Sequence, residues 1–223
     1  MASISSSAIP ISPDGRRRRL WWALAVVVAL IVAAPIAWHN GLKDEFFPRN
    51  FGVVEPGKIY RSGQISERLI EPTLVQNGIR TIVVLSMSGA KPVDVAGEVR
   101  AAADLHIDRE IFPLSGDGTG NLDSYAGAVA AIDRAVKQNK PVLVHCVAGA
   151  QRTGGVIAAY RLLVQHEPAE TALAEMRRFG HDPSANPHLL EYLNDHMSEL
   201  AQKLVDLGVI DQKPNPIPTL PVD

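Results

Sequence analysis

The sequence holds one cysteine, Cys146, among 223 residues. An internal disulfide is therefore excluded, and with it a cysteine-rich scaffold. Aromatic residues are scarce at 5%, and all three tryptophans (Trp21, Trp22 and Trp38) lie near the N-terminus. Basic residues show no excess. The formal net charge is −2, so the charge footprint of a nucleic-acid-binding domain is missing and no nucleic-acid partner is expected. The seven histidines show no i, i+4 pairing of the kind that holds a metal. His181 and His188, on either side of Asn186, read as parts of a helix–helix connection. No metal and no other cofactor is expected. No internal repeat is evident.

Long apolar runs are also rare, with one exception. Residues 1–19 read as a disordered basic N-terminus, rich in Ser, Ala and Pro and ending in Arg16-Arg17-Arg18-Arg19. Residues 20–38 then carry no charge and are just long enough to span a bilayer as a helix. The tryptophans sit at its two ends, where interfacial aromatics belong, and the arginines mark the cytoplasmic side. The expectation is a single-pass anchor with the N-terminus cytoplasmic and the rest of the protein periplasmic or extracytoplasmic. Secretion after cleavage of the same segment as a signal is the alternative.

A polar linker over 39–50 leads to a domain over 51–208, followed by a proline-rich tail over 209–223 that is expected to be extended. Within the domain the pattern alternates. A short hairpin around Glu55-Pro56-Gly57 is followed by a helix over 67–76 and a continuous apolar strand over 79–85. A helix over 93–105, a strand over 107–114 and a helix over 124–138 come next. The strand 141–145 ends at Cys146, and helices over 153–165, 168–179 and 187–207 complete the chain. This order predicts an α/β fold, with a mostly parallel sheet of about four to five strands flanked by helices. Ligand sites in such folds lie at the carboxyl ends of strands. Cys146 stands at such an end.

The residues around it read His145-Cys146-Val147-Ala148-Gly149-Ala150-Gln151-Arg152-Thr153. A thiol attacks well only as thiolate, and a helix N-terminus or a nearby cation lowers its pKa. Here a helix follows and Arg152 is close. If 147–152 curl into a loop, their backbone N–H groups form a nest for an anion. Gly149, Ala148 and Ala150 let backbone approach a ligand. Arg152 can grip two phosphate oxygens with its planar fork. Thr153 can place a hydroxyl near the sulfur.

This run, His-Cys, five residues, then Arg-Thr, resembles the signature of the cysteine-dependent protein tyrosine and dual-specificity phosphatases. The run Lys58-Ile59-Tyr60-Arg61-Ser62-Gly63-Gln64 resembles the atypical bacterial and fungal dual-specificity-like branch. The resemblance covers roughly residues 52–207. It implies that Cys146 forms a phosphocysteine intermediate and that Arg152 binds the phosphate and stabilises the transferring group. It implies further that Thr153 assists the sulfur as leaving group and that His145 holds the loop in shape. Arg61 would be an anion-binding or supporting group, with a structural ion pair as the other reading.

Hydrolysis of a phosphate ester also needs a general acid, placed on a separate loop. Asp117, among Gly116, Gly118 and Gly120, is the expected acid, on a loop able to close and open. Asp123 is the competitor, although it reads equally as an acid in the first turn of the following helix. The interior of the cysteine loop, Val147, Ala148, Gly149, Ala150 and Gln151, brings no charge of its own. That favours phosphotyrosine, with phosphoserine or phosphothreonine next, over highly anionic inositol phosphates. The apolar N-terminal segment argues for a lipid phosphate instead. A rhodanese-like sulfurtransferase and a phosphate-binding pseudo-enzyme are the remaining readings. The expected partners are a phosphorylated protein or other phosphomonoester and a membrane, the catalytic domain being monomeric.

Overall fold

The computed structural model of the protein describes residues 13–39, 41–86 and 88–222. They form two compact units, one ending at Lys43 and one from Asp44 onward. The first contains helix α1, Pro13–His39. Its stretch Leu20–Trp38 has a mean hydropathy of 2.5, and none of it is buried within the protein. A helix of this length and composition near an N-terminus suits either a membrane span or a signal sequence. Residues 13–19, expected to be disordered, are helical. Arginine is a good helix former and Pro13 suits a first helical position, so the basic run extends the apolar helix. Residues 1–12 of that expected segment lie outside the described residues.

The second unit carries the sheet. Strands β1 (Gly52–Glu55) and β2 (Ile59–Ser62) form the expected antiparallel hairpin. Strands β3 (Thr81–Val84), β4 (Asp108–Ile111) and β5 (Val142–His145) complete one five-stranded sheet. Its order is β1-β2-β5-β3-β4, with every pair after the first parallel. Strand β4 ends earlier than expected, although Phe112 N and Leu114 N still donate to the carbonyls of Val84 (2.8 Å) and Leu85 (3.2 Å) beyond it.

Both faces of the sheet are covered, for a reason visible in β5. Successive side chains point to opposite faces. Val142 and Val144 pack into one apolar layer and Leu143 into the other. Helices α2 (Glu67–Gln76) and α3 (Pro92–Asp104) close the Leu143 side. On the valine side lie α4 (Leu122–Lys137), α5 (Gln151–Leu163), α6 (Ala169–Arg178) and α7 (His188–Asp206). Strands β3 and β5 are buried along their whole length, so they read as unbroken apolar runs. Ser62 and Val84 both pair with His145. The ends of β2, β5 and β3 are therefore level, and their loops leave the sheet along one edge.

Both flanks of the domain differ from expectation. The proline-rich tail is not free. Leu220 is buried, its N–H donates to Asn194 Oδ1 (2.7 Å) and its carbonyl accepts from Asn194 Nδ2 (2.8 Å). An apolar residue with a donor–acceptor partner on α7 docks the tail that proline content alone suggests is extended. Residues 44–50, expected as linker, also belong to the domain. The carbonyl of Arg49 accepts from Gly63 N (2.8 Å), and Asn50 Nδ2 donates to the carbonyls of Phe179 (2.9 Å) and Ala148 (3.3 Å).

Candidate active site

Helix α5 begins at Gln151, two residues before the expected start. Its N-cap, Ala150, has no side-chain oxygen to announce the turn, which is why the boundary is hidden in the sequence. The shift matters for chemistry. Arg152 and Thr153 fall in the first helical turn, where backbone N–H groups lack intrahelical acceptors and the helix dipole is positive.

The loop wraps around the sulfur. Gly149 N donates to Cys146 Sγ at 3.2 Å. Burial pushes the Cys146 thiol up, since it is 1% exposed. Hydrogen bonds from the Thr153 hydroxyl and N–H, the Arg152 charge and the Gly149 N–H outweigh this and hold it below its ordinary value. The Arg152 Nε is buried with no protein partner, and the buried Thr153 hydroxyl has none besides the sulfur. These donors and a stabilised thiolate suit an oxyanion at the sulfur.

What holds the loop in this shape is the second run singled out in the sequence. Gly149 sits at φ +75°, and a Cβ there would lie 2.5 Å from Gly63 N, so only glycine fits. Gln64 N donates to the Val147 carbonyl at 3.0 Å. Arg61 is fully buried, and its Nη2 donates to the Gly149 carbonyl at 3.0 Å. Its guanidinium lies 4.1 Å from the Phe179 ring centroid and 3.5 Å from Glu175 Oε1. Burial lowers its pKa to about 10 against the raising effect of Glu175, so it is a cation at any physiological pH. Arg61 thus grips the loop's own backbone.

His145 points to the other side of the strand, and this exposes a residue that sequence reasoning missed. Its Nε2 lies 3.0 Å from Glu98 Oε2, with both side chains 1% exposed. Glu98 also accepts from Arg109 Nε (2.8 Å) and Gln64 Nε2 (2.9 Å). Burial raises the Glu98 carboxyl, yet His145 and Arg109 overcome that and bring it down to about 2. Burial lowers His145, and the Glu98 carboxylate more than reverses it, so His145 titrates above its ordinary value. A signal for Glu98 exists: it lies on the buried face of α3 with Asp94, Ala101 and Ala102, where an acid needs a partner.

Asp117 and Asp123 are placed quite differently. Asp123 begins α4, is exposed, and pairs with Lys203 of α7 at 2.6 Å. Asp117 sits in the turn after β4, its carboxylate accepting from Thr119 N (3.0 Å) and Thr119 Oγ1 (2.8 Å). The next residue, Gly118 (φ +95°), has its Cα against the cysteine loop: a Cβ there would lie 3.2 Å from the Gln151 carbonyl carbon. Tyr125, raised mainly by burial, also feels the charges of both Asp117 and Cys146. No cluster of metal-ligating side chains occurs among the described residues.

A strand-end cysteine loop opening onto a helix, with arginine in the first turn, defines the cysteine-dependent phosphatase class. The family "Polymorphic toxin system, DSP-PTPase phosphatase" matches residues 56–167, half of the chain, and the chain belongs to it. A tyrosine phosphatase family also matches residues 132–208. The dual specificity protein phosphatase OPG106 of Monkeypox virus is 45% identical over 50 residues, 22% of this chain and 29% of the viral protein. Among solved structures, TpbA of P. aeruginosa has 22% identity and a TM-score of 0.56, covering 72% of this chain and 91% of that one. The catalytic core of Siw14, a PP-IP phosphatase from S. cerevisiae, has 20% identity and a TM-score of 0.56, covering 78% and 97%. These likenesses establish the α/β phosphatase fold. One TpbA structure holds pTyr.

Proposed function

We propose that the protein hydrolyses phosphomonoesters, phosphotyrosine first among them, through a phosphocysteine on Cys146. The observation that carries this reading is the Cys146 thiol, held below its ordinary pKa inside a ring of inward-facing donors. In the first step the sulfur attacks phosphorus and the bond to the leaving oxygen breaks. Arg152 and the loop N–H groups take the charge of the transferring group. Asp117, as carboxylic acid, gives its proton to the leaving oxygen. Water then attacks phosphorus, Asp117 takes back a proton, and the S–P bond breaks while Thr153 donates to the departing thiolate. Placing the acid on Asp117 is supported by its contact with the catalytic loop through Gly118, and by the engagement of Asp123 with Lys203.

Phosphotyrosine is favoured because Arg152 is the only charged residue from Val147 to Thr153, so a second or third phosphate would gain nothing there. Siw14 and the pTyr-bound TpbA share the fold, so fold alone does not choose between their substrates. The sulfurtransferase reading lacks support, given Arg152 and Thr153 beside the sulfur.

The full-length protein in detergent should hydrolyse p-nitrophenyl phosphate between pH 5 and 8. Asp117→Asn should slow phosphotyrosine turnover by roughly 10²–10⁴, the usual range for loss of a general acid. Asp123→Ala should leave it within about twofold, since an exposed ion pair is worth under about 1 kcal/mol. The reverse ranking would move the acid to Asp123, and absence of hydrolysis by folded protein would end the proposal.

We also propose that α1 anchors the protein, with Arg17 and Arg18 on the cytoplasmic side and the catalytic domain across the membrane. The apolarity of Leu20–Trp38 and the basic residues before it support this. An alkaline phosphatase reporter after Val222 should then be active and should sediment with membranes after an alkaline wash. Activity in the soluble fraction would point to a cleaved signal, and an inactive reporter to the opposite topology.

A further inference from the structure

The segment 179–187, between α6 and α7, touches both halves of the site. At its start, a Cβ on Gly180 would lie 3.7 Å from Ala150 Cβ, in ordinary contact with the catalytic loop. The next residue, His181, is buried and places Nδ1 2.7 Å from Gln151 Oε1. At its end, the amide of the buried Asn186 donates to the Asp117 carbonyl. The backbone N–H of Asn186 donates to Asp182 O at 2.9 Å, which ties down the main chain that carries this side chain. The first turn of α7 continues the contact. A Cβ on Gly118 would lie 2.9 Å from Leu189 Cδ1, so Gly118 is wedged between Leu189 and Gln151.

Two further donors act on the same loop. Tyr125 Oη donates to the Gly118 carbonyl and Tyr192 Oη to the Gly120 carbonyl. Three successive anchor points, at Asp117, Gly118 and Gly120, therefore tie down a segment whose glycines suggest free movement. Of the three donors, Asn186 alone bonds to Asp117 itself. It also belongs to the segment that grips the catalytic loop.

We infer that Asn186 is a positioning residue for the general acid: its amide fixes the Asp117 backbone relative to the Gln151 end of the catalytic loop, so the acid is preset before substrate arrives. This rests on the reading of Asp117 as acid. In the first step, which kcat/KM reports, a donor that sets the acid should matter only when the leaving group needs a proton. An Asn186 that merely supports the fold should affect all substrates alike.

The test uses full-length protein and a series of aryl phosphates, from dinitrophenyl phosphate, whose leaving group needs no proton, to phenyl phosphate and phosphotyrosine. Asn186→Ala and Asn186→Asp (the same shape without the donor) are compared with Asp117→Asn. Misplacement by about 1 Å costs on the order of 10² in rate. Both Asn186 variants should thus lower kcat/KM, which reports only formation of the phosphocysteine, by roughly 10²-fold on phenyl phosphate and phosphotyrosine. They should leave kcat/KM for dinitrophenyl phosphate within about threefold and flatten the alkaline limb of the pH profile, where a general acid loses its proton. Inorganic phosphate inhibition should not change. A uniform loss on every substrate, or wild-type behaviour of Asn186→Asp, would overturn the inference while the Asp117 reading stands. If Asp117→Asn itself shows no dependence on the leaving group, the acid reading fails and this inference falls with it. Should Asn186→Ala fail to fold, the isosteric Asn186→Asp decides alone.

Discussion

Cys146→Ser is expected to abolish turnover while leaving oxyanion binding intact. A serine hydroxyl stays protonated where the thiol ionises, because the donors that favour a thiolate cannot bring an alcohol into the neutral range. Loss of a nucleophile that acts as part of a unit costs on the order of 10⁶ in kcat. The cradle does not depend on the sulfur. Gly149 stays pinned by its approach to Gly63 and by Arg61, and Arg152 keeps its place in the first turn of α5. Inorganic phosphate should therefore bind Cys146→Ser at least as well as wild type, since the thiolate's negative charge is gone. Steady-state hydrolysis of p-nitrophenyl phosphate and calorimetric titration with phosphate measure the two halves. Retention of more than a hundredth of wild-type activity would remove Cys146 from the chemistry. Loss of phosphate binding by folded protein would show that the cradle needs the thiolate.

The readiness of this loop to be read from sequence has a physical origin. Its pattern is local: cysteine, glycine, arginine and threonine lie within eight residues, between an apolar strand and a helix, and each is the residue type that its place demands. The parallel sheet is equally legible, because β3 and β5 are buried on both faces and have no alternation to confuse. Helix boundaries follow to within a residue where a proline marks them, as at Ala169 behind Pro168, and slip where none does, as at Gln151 behind Ala150.

The contacts that hold Asp117 and the cysteine loop are long-range and leave weaker traces. Asp117 is bound by Asn186, 69 positions away, and Arg61 grips a carbonyl 88 positions away. No periodicity encodes such pairs. Glycines near Asp117 suggest motion from sequence alone, whereas Gly118 is required there for close packing on Leu189 and Gln151. The tail shows the same limit. Its prolines imply extension, and the single buried Leu220 decides otherwise.

Glu98→Gln is expected to produce the largest stability loss of any single charge change in the domain, with a defined pH signature. Glu98 joins three groups from separate elements: it accepts from Gln64 after β2 and Arg109 of β4, and lies 3.0 Å from Nε2 of His145 on β5. Breaking a buried pair by removing one partner costs about 3–5 kcal/mol. The sign follows from the two titrations. Glu98 sits at about 2, below its ordinary 4.5, so its contribution is complete above 4.5 and fades as pH falls towards 2. His145 is raised above 6.5, so its contribution is complete below 6.5 and fades as pH rises through the folded-state value. The pair is therefore at full strength from about 4.5 to 6.5 and weakens at alkaline pH. In urea unfolding, wild type should lose stability relative to Glu98→Gln as pH rises above 6.5, and the gap between them should be widest near pH 6. The substitution should also raise the thiol pKa, read from thiolate absorbance, because His145 loses the carboxylate that keeps it charged one residue from Cys146. A gap that stays constant from pH 5.5 to 9 would mean that His145 is neutral in the folded protein and that Glu98 acts through Arg109 and Gln64 alone.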